Sequence, residues 1–260
     1  MTTTILEVRR ISRRFGGLVA LHDLSFNVSR GEIVGLIGPN GAGKTTAFNV
    51  ITGTQPPTAG KVIFQGKDIS GGPPSRVVVD GLARTFQSTS TYPDLTVAGN
   101  IYRGMLSHIS GSLVGLLVGR CDRGISMERV SDEIDRILRM TGLQPWRDAL
   151  AGNLPYGVQK ILGIAVALAA SPKMLLLDEP AAGLNHEECK GLTTLLRRLR
   201  DEHGLTLLLV EHHMALVMEL CHRIVVLVQG EKIAEGTPEE IRQNEAVIEA
   251  YLGAPEYAHA

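Results

Sequence analysis

Apolar residues along the chain follow two rhythms, and the change from one to the other divides the sequence. Segments 5–11 (ILEVRRI), 21–28 (LHDLSFNV) and 31–38 (GEIVGLIG) are short apolar runs with turn residues between them, so they predict strands. After the break PPTAG at 56–60, KVIFQG at 61–66 resumes as a strand, and a helix is expected over 44–52. From 92 to 154 the spacing turns helical, in TVAGNIYRGMLSHI and MERVSDEIDRILRMTGL, with GSLVGLLVGRCDRGIS between them. A further helix is expected after Gly157, reaching Ala170 and stopped by Ser171-Pro172. The unbroken apolar run Met174-Leu175-Leu176-Leu177-Asp178 has the composition of a parallel strand buried on both faces. Helix 187–201, strand 205–211, helix 213–220, strands 223–228 and 231–236 and a helical segment 238–252 continue the alternation. The pattern predicts an α/β core built on a parallel sheet, with a helical lobe inserted into it.

Composition narrows the function classes. The 260 residues are 44% hydrophobic and 20% charged, enough apolar material for a large core. Twenty-six basic residues stand against 27 acidic ones, a balance that argues against nucleic acid as a partner. Cys121, Cys189 and Cys221 are far apart and form no C-x-x-C pair, which fits a reducing compartment better than a disulfide framework or a zinc site. No secretory signal is visible at the start. The apolar runs at 33–38, 113–119 and 161–170 each fall short of the ~20 residues that span a bilayer. The expectation is a soluble chain that can still dock on a membrane protein.

The chemistry is concentrated in GPNGAGKTT, residues 38–46, directly after an expected strand and before an expected helix. It fits G-x-x-x-x-G-K-[ST] on Gly38, Gly43, Lys44 and Thr45, with Pro39, Asn40, Gly41, Ala42 and Thr46 completing the loop. Consecutive backbone N–H groups in such a loop face a concavity that holds phosphate oxygens, and the helix adds its positive end. Lys44 can neutralise β- and γ-phosphate charge, and the Thr45 hydroxyl can ligate Mg2+. Asp178 and Glu179 end the apolar strand, at the sheet edge where α/β proteins bind ligands. Asp178 there can hold Mg2+, and Glu179 can polarise an attacking water. Without the phosphate loop, the same pair reads as an acidic turn capping the next helix.

Other candidates carry weaker local signals. Gln87 ends LARTFQ at the seam between core and lobe; its amide oxygen can reach Mg2+ or water, but a strand-end glutamine is commonly just exposed. His212 follows another strand, where an imidazole can face the γ-phosphate, cap a helix or pack. The segment NLPYGVQ, with Tyr156, Gly157 and Gln159, opens a helix whose free amides make a second anion site or an ordinary Pro-Gly start. Two phosphate-seeking segments serve one nucleotide only if two chains meet. Phe15, before Gly16-Gly17, can stack on adenine or belong to the core.

Taken in order, these motifs resemble the ATP-binding subunit of ABC transporters over essentially the whole chain. GPNGAGKTT resembles the Walker A loop, Gln87 the Q-loop glutamine, LPYGVQ (154–159) the signature motif and MLLLDE (174–179) Walker B. AAGLN (181–185) is similar to the D-loop, and His212 to the switch histidine. FGGLVAL, ARTFQ, LPYG, DEPAAGLN, EHHM and the C-terminal GTPEEIRQNEAVIEAYLG resemble the ATPase of branched-chain amino acid importers.

The resemblance implies a P-loop NTPase fold, with a RecA-like core, an N-terminal antiparallel β subdomain and an inserted α-helical subdomain. The core is expected over 1–87 and 172–260 and the helical signature subdomain over 88–171. ATP and Mg2+ are the implied ligands, with hydrolysis carried by Glu179, His212 and Gln87. The implied partners are a second ABC ATPase subunit, alike or different, transmembrane permeases and, indirectly, an extracytoplasmic solute-binding protein. The expected location is cytoplasmic, peripheral on the inner face of the membrane. A non-transport ABC ATPase, such as a soluble iron–sulfur assembly scaffold, is the alternative. The chain departs from the general pattern at Gly99, Pro155, Lys160, Gly163, Val166 and His213, mostly in the signature helix and lobe.

Overall fold

The computed structural model describes residues 3–85, 91–106 and 127–252. Two sheets share the work. The first is antiparallel, in the order β2-β1-β4-β5, from β1 (Thr4–Phe15), β2 (Leu18–Ser29), β4 (Ala59–Phe64) and β5 (Lys67–Asp68). The second runs β10-β9-β3-β8-β7-β6, from β3 (Ile33–Ile37), β6 (Leu82–Arg84), β7 (Met174–Asp178), β8 (Thr206–Val210), β9 (Arg223–Val228) and β10 (Glu231–Gly236). Its pairings are parallel except for β10, which returns antiparallel along β9.

The central strands are apolar along their interiors because both of their faces are covered. Val34, Leu36, Leu208, Val210, Val225 and Leu227 face one side, with α1 (Lys44–Ile51) and the antiparallel sheet. Ile33, Ile37, Leu207, Leu209, Ile224 and Val226 face the other. There they meet α6 (His186–His203), α7 (Met214–Leu220) and a helical group. Period-2 alternation therefore sorts one run of aliphatic residues into two cores.

The helical group consists of α3 (Val97–Met105), α4 (Met127–Thr141) and α5 (Tyr156–Leu168). Val97, Ile101, Val130, Ile134, Ile137, Leu138, Leu162 and Ala165 form its core, continuous with that under the sheet. Asn100, 1% exposed, fixes the entry to α3 by accepting from Tyr92 N and donating to the carbonyls of Tyr92, Leu95 and Thr96. α3 and α5 approach so closely at Gly104 that an added Cβ would lie 2.4 Å from the Val166 carbonyl oxygen.

Several segments differ from the sequence expectation; the helical segment expected over 238–252, for one, divides into Pro238–Arg242 and Glu245–Leu252. β1 runs twelve residues instead of stopping at 11, because register shifts on both of its ladders interrupt the alternation near Arg10. Arg10 sits there at φ 47°, the signature of an inserted bulge residue. The helix α2 (Pro74–Val79) was not expected at all; its Gly-Gly-Pro-Pro approach reads as a loop, yet Pro at N1 suits a helix start. The chain is completed by α8 (Pro238–Arg242) and α9 (Glu245–Leu252). Gln87 and the apolar run at 113–119 lie outside the described residues.

The contact at Gly104 carries a test. Gly104→Ala forces backbone and side chain apart at the α3–α5 crossing and is expected to cost about 1–3 kcal/mol. Thermal unfolding should show a midpoint several degrees lower, and an unchanged midpoint would contradict so close an approach.

Candidate functional site

Parallel pairing sets three strand ends at one level. Leu36 of β3 and Asp178 of β7 both pair with Val210 of β8. The segments leaving those ends therefore enter one crevice at the carboxyl edge of the sheet.

From β3 the chain enters the 38–43 loop and then α1. Gly38, at φ 153°, lies so close to β9 that a Cβ would sit 1.9 Å from the Leu227 carbonyl oxygen. Gly43, at φ 101°, presses against Ala20, whose carbonyl oxygen would be 2.6 Å from an added Cβ. These approaches, and the Gly230 N–H donated to the Ala42 carbonyl (2.9 Å), seat the loop against β2 and the β9–β10 turn. No side chain caps α1, and a helix start of this kind suits an anionic ligand. Lys44 is 6% exposed, and its Nζ donates to the carbonyls of Gly38 (2.7 Å) and Pro39 (2.9 Å). Its charge is held over the loop that it serves. Thr45 is exposed, while Thr46, Pro39 and Asn40 line the same turn.

β7 delivers Asp178 and Glu179. Asp178, 5% exposed, accepts from Arg84 Nη2 at 2.6 Å, and the same guanidinium donates to Asn49 Oδ1 of α1 at 2.7 Å. Arg84 thus joins the ends of β6 and β7 to α1, its guanidinium lying over the Phe48 ring. Glu179 has φ 48°, a left-handed conformation costly for a non-glycine residue and common at functional sites. Its N–H is held by the Val210 carbonyl (2.9 Å), and its Oε1 lies 3.1 Å from His212 Nε2.

β8 delivers Glu211, His212 and His213. The two histidines divide the work. His213 is the N-cap of α7, its Nδ1 accepting from Leu216 N at 3.4 Å. His212 is thereby left to face Glu179. Glu211 is buried at 3% exposure and accepts from three backbone N–H groups.

The other candidates stand apart from this trio. Tyr156 is half exposed and donates its hydroxyl to the Ala182 carbonyl at 3.3 Å. Gly157 is buried against the Glu188 carboxylate, which closes a capping box with Asn185 at the start of α6. Gln159 turns back to donate to the Leu154 carbonyl at 2.9 Å. The segment 154–159 therefore rests on the chain that follows Glu179. Phe15 ends β1, paired with Leu18 and 41% exposed, with the Arg13 guanidinium 4.6 Å from its ring centre. That exposure sets aside the core reading of Phe15.

Sequence reasoning missed Arg84 and Glu211. Arg84 stands inside the ARTFQ string, but nothing local ties it to Asp178. Glu211 precedes His212, and only its burial marks it out.

The family model for ABC transporters matches residues 21–182 of this chain. That for the branched-chain amino acid ATP-binding cassette transporter matches residues 231–257. The chain is 41% identical over 254 residues to BraF, the high-affinity branched-chain amino acid transport ATP-binding protein of Pseudomonas aeruginosa, covering 97% of this chain and 99% of that one. It is equally 41% identical over 257 residues to LivG of Escherichia coli, a protein of the same description, covering 97% and 99%. Among solved structures it is similar to the ABC transporter ATP-binding cassette MJ1267 in its ADP conformation, with a TM-score of 0.85 and 32% identity over 97% of this chain and 100% of that one. The phosphate loop, the strand-end carboxylates and these likenesses agree: the chain belongs to the ABC transporter family, as a nucleotide-binding subunit that hydrolyses ATP.

Proposed function

We propose that this chain is one of two ATPase subunits that drive a membrane importer of branched-chain amino acids or related small solutes. The observation that carries the chemistry is the Glu179–His212 pair, 3.1 Å apart at the ends of β7 and β8 beside the phosphate loop. The transport reading is supported by the printed function of BraF and LivG, each matched over nearly its whole length. Both are described as transport proteins, which favours transport over a soluble assembly scaffold. Among the described residues no helix is long and apolar enough to cross a membrane, so the membrane passage falls to permease partners. The subunit then works from the cytoplasmic face.

ATP lies along residues 38–46. The loop amides and the start of α1 take the phosphates, Lys44 leaves the Gly38 and Pro39 carbonyls for the β- and γ-phosphate oxygens, and the exposed Phe15 ring packs on adenine. Exposed Thr45 and the Asp178 carboxylate are hard oxygen donors suited to Mg2+, which prefers few protein ligands beside phosphates. Bound there, Mg2+ neutralises charge on the leaving phosphates. Arg84 holds the Asp178 carboxylate in place before the nucleotide arrives. Glu179 polarises the attacking water, and His212 orients it and bonds the γ-phosphate. Gln87 is assigned by resemblance alone to the same Mg2+ and water.

Tyr156, Gly157 and Gln159 serve a second nucleotide, the one held by the partner ATPase. Their segment rests on 182–188, the stretch that follows Glu179, so docking there is felt beside the hydrolytic pair. ATP closes the two subunits and its hydrolysis releases them, the γ-phosphate supplying the difference in affinity between the states.

Three outcomes follow. Glu179→Gln keeps nucleotide binding and lowers the hydrolysis rate by ~10²–10⁴; an unaltered rate removes Glu179 from the chemistry. Lys44→Ala weakens ATP binding itself by roughly tenfold or more, the loss of a charge-assisted contact; a titration with unchanged affinity removes Lys44 from the phosphate site. Cells in which Glu179→Gln replaces the native chain lose ATP-driven uptake of radiolabelled leucine, isoleucine or valine; undiminished uptake of all three removes the assigned solute class.

A further inference from the structure

Glu211 is a buried carboxylate that the hydrolytic scheme does not use. It stands directly after β8, 3% exposed, and both of its oxygens are engaged on different segments. Oε1 accepts from Ala181 N at 2.6 Å, in the stretch that follows Glu179. Oε2 accepts from His212 N at 3.0 Å and His213 N at 3.2 Å. A carboxylate with two acceptor oxygens and no donor is suited to this position, where three N–H groups converge from two loops. Burying such a charge is costly unless amides satisfy it, and here three do.

From this geometry we infer that Glu211 is a positioning residue for hydrolysis. Its carboxylate clamps the loop after Glu179 to the loop carrying His212, so that His212 Nε2 meets Glu179 Oε1. The clamp also reaches the signature segment of the same chain. Ala182, next to the clamped Ala181, accepts the Tyr156 hydroxyl. Glu179 itself is held in a left-handed conformation, with its N–H on Val210 and its carbonyl accepting from Ala182 N at 3.2 Å. Such a backbone persists only where neighbours over-determine it, and Glu211 supplies a side-chain tie between the two loops beside the His212–Glu179 contact. Glu211 does not touch substrate; it acts through His212 and Glu179. The inference rests on those two residues acting at the γ-phosphate.

Glu211→Gln tests it. A glutamine matches the shape but offers one acceptor oxygen, and its NH2 must oppose an N–H on one of the two loops. In the full chain with Mg2+ and ATP, the expected result is a kcat lower by roughly 10–100-fold, the scale of a small misplacement of reacting groups, with KM and nucleotide affinity within about twofold. In a His212→Ala background, Glu211→Gln should change kcat by less than about twofold, because the His212–Glu179 contact that the clamp aligns is already gone. Glu211→Ala, which removes the carboxylate without placing an NH2 against the amides, should give the same split and serves if the glutamine variant fails to fold. A kcat within twofold of the native value, an equal loss in nucleotide affinity, or a full additional loss on top of His212→Ala would overturn the inference. Glu179→Gln and His212→Ala alone test the underlying reading: if neither slows turnover, the hydrolytic assignment fails, whatever Glu211→Gln does.

Discussion

The parallel register of β3, β8 and β7 is the constraint on which the rest of the molecule depends. Leu36, Val210 and Asp178 are locked to one level by the ladder, so three loops leave the sheet side by side. One brings the phosphate loop, one the two carboxylates and one the histidine. None of these groups is near another in sequence. A slip of one residue in either ladder would turn every side chain of that strand to the opposite core. The two-sided burial of Val34, Leu36, Leu208 and Val210 on one face and Ile33, Leu207 and Leu209 on the other holds the register.

Charge is concentrated along this edge, and each charge is given a partner there. Lys44 lies on loop carbonyls, Asp178 on Arg84, Glu179 on His212 and Glu211 on three amides. Arrangements of this kind are preorganised: donors and acceptors are fixed before substrate arrives, and little reorganisation remains for the reaction. The same edge continues outward through Ala182 and Glu188 to Tyr156 and Gly157, which links the Glu179–His212 pair to the segment proposed to serve a partner's nucleotide.

What the sequence makes legible is what is local. The 38–46 loop is read directly because its glycines and Lys44 are contiguous and their spacing has one mechanical meaning. Asp178 and Glu179 are legible because an unbroken aliphatic run announces a buried strand and its end. His212 becomes legible only by analogy with that end, and the structure adds the reason it is free: His213 takes the capping task. The hidden parts are those defined by long-range contact. Arg84 and Asp178 are 94 residues apart, and Ala181 and Glu211 are 30 apart. The bulge at Arg10 and the short helix 74–79 are hidden for a different reason, since each is a local exception to the periodicity used to find elements.

The central claim is that the three strand ends hold one ATP whose γ-phosphate lies between Lys44 and the Glu179–His212 pair. A crystal structure of the Glu179→Gln variant with Mg2+ and ATP tests it most directly. The account predicts that Lys44 Nζ has left the Gly38 and Pro39 carbonyls for the β- and γ-phosphate oxygens, and that His212 Nε2 lies about 3 Å from a γ-phosphate oxygen. A triphosphate seated in the 38–46 loop with His212 turned away from it, or Lys44 still bonded to its own loop, would contradict the account.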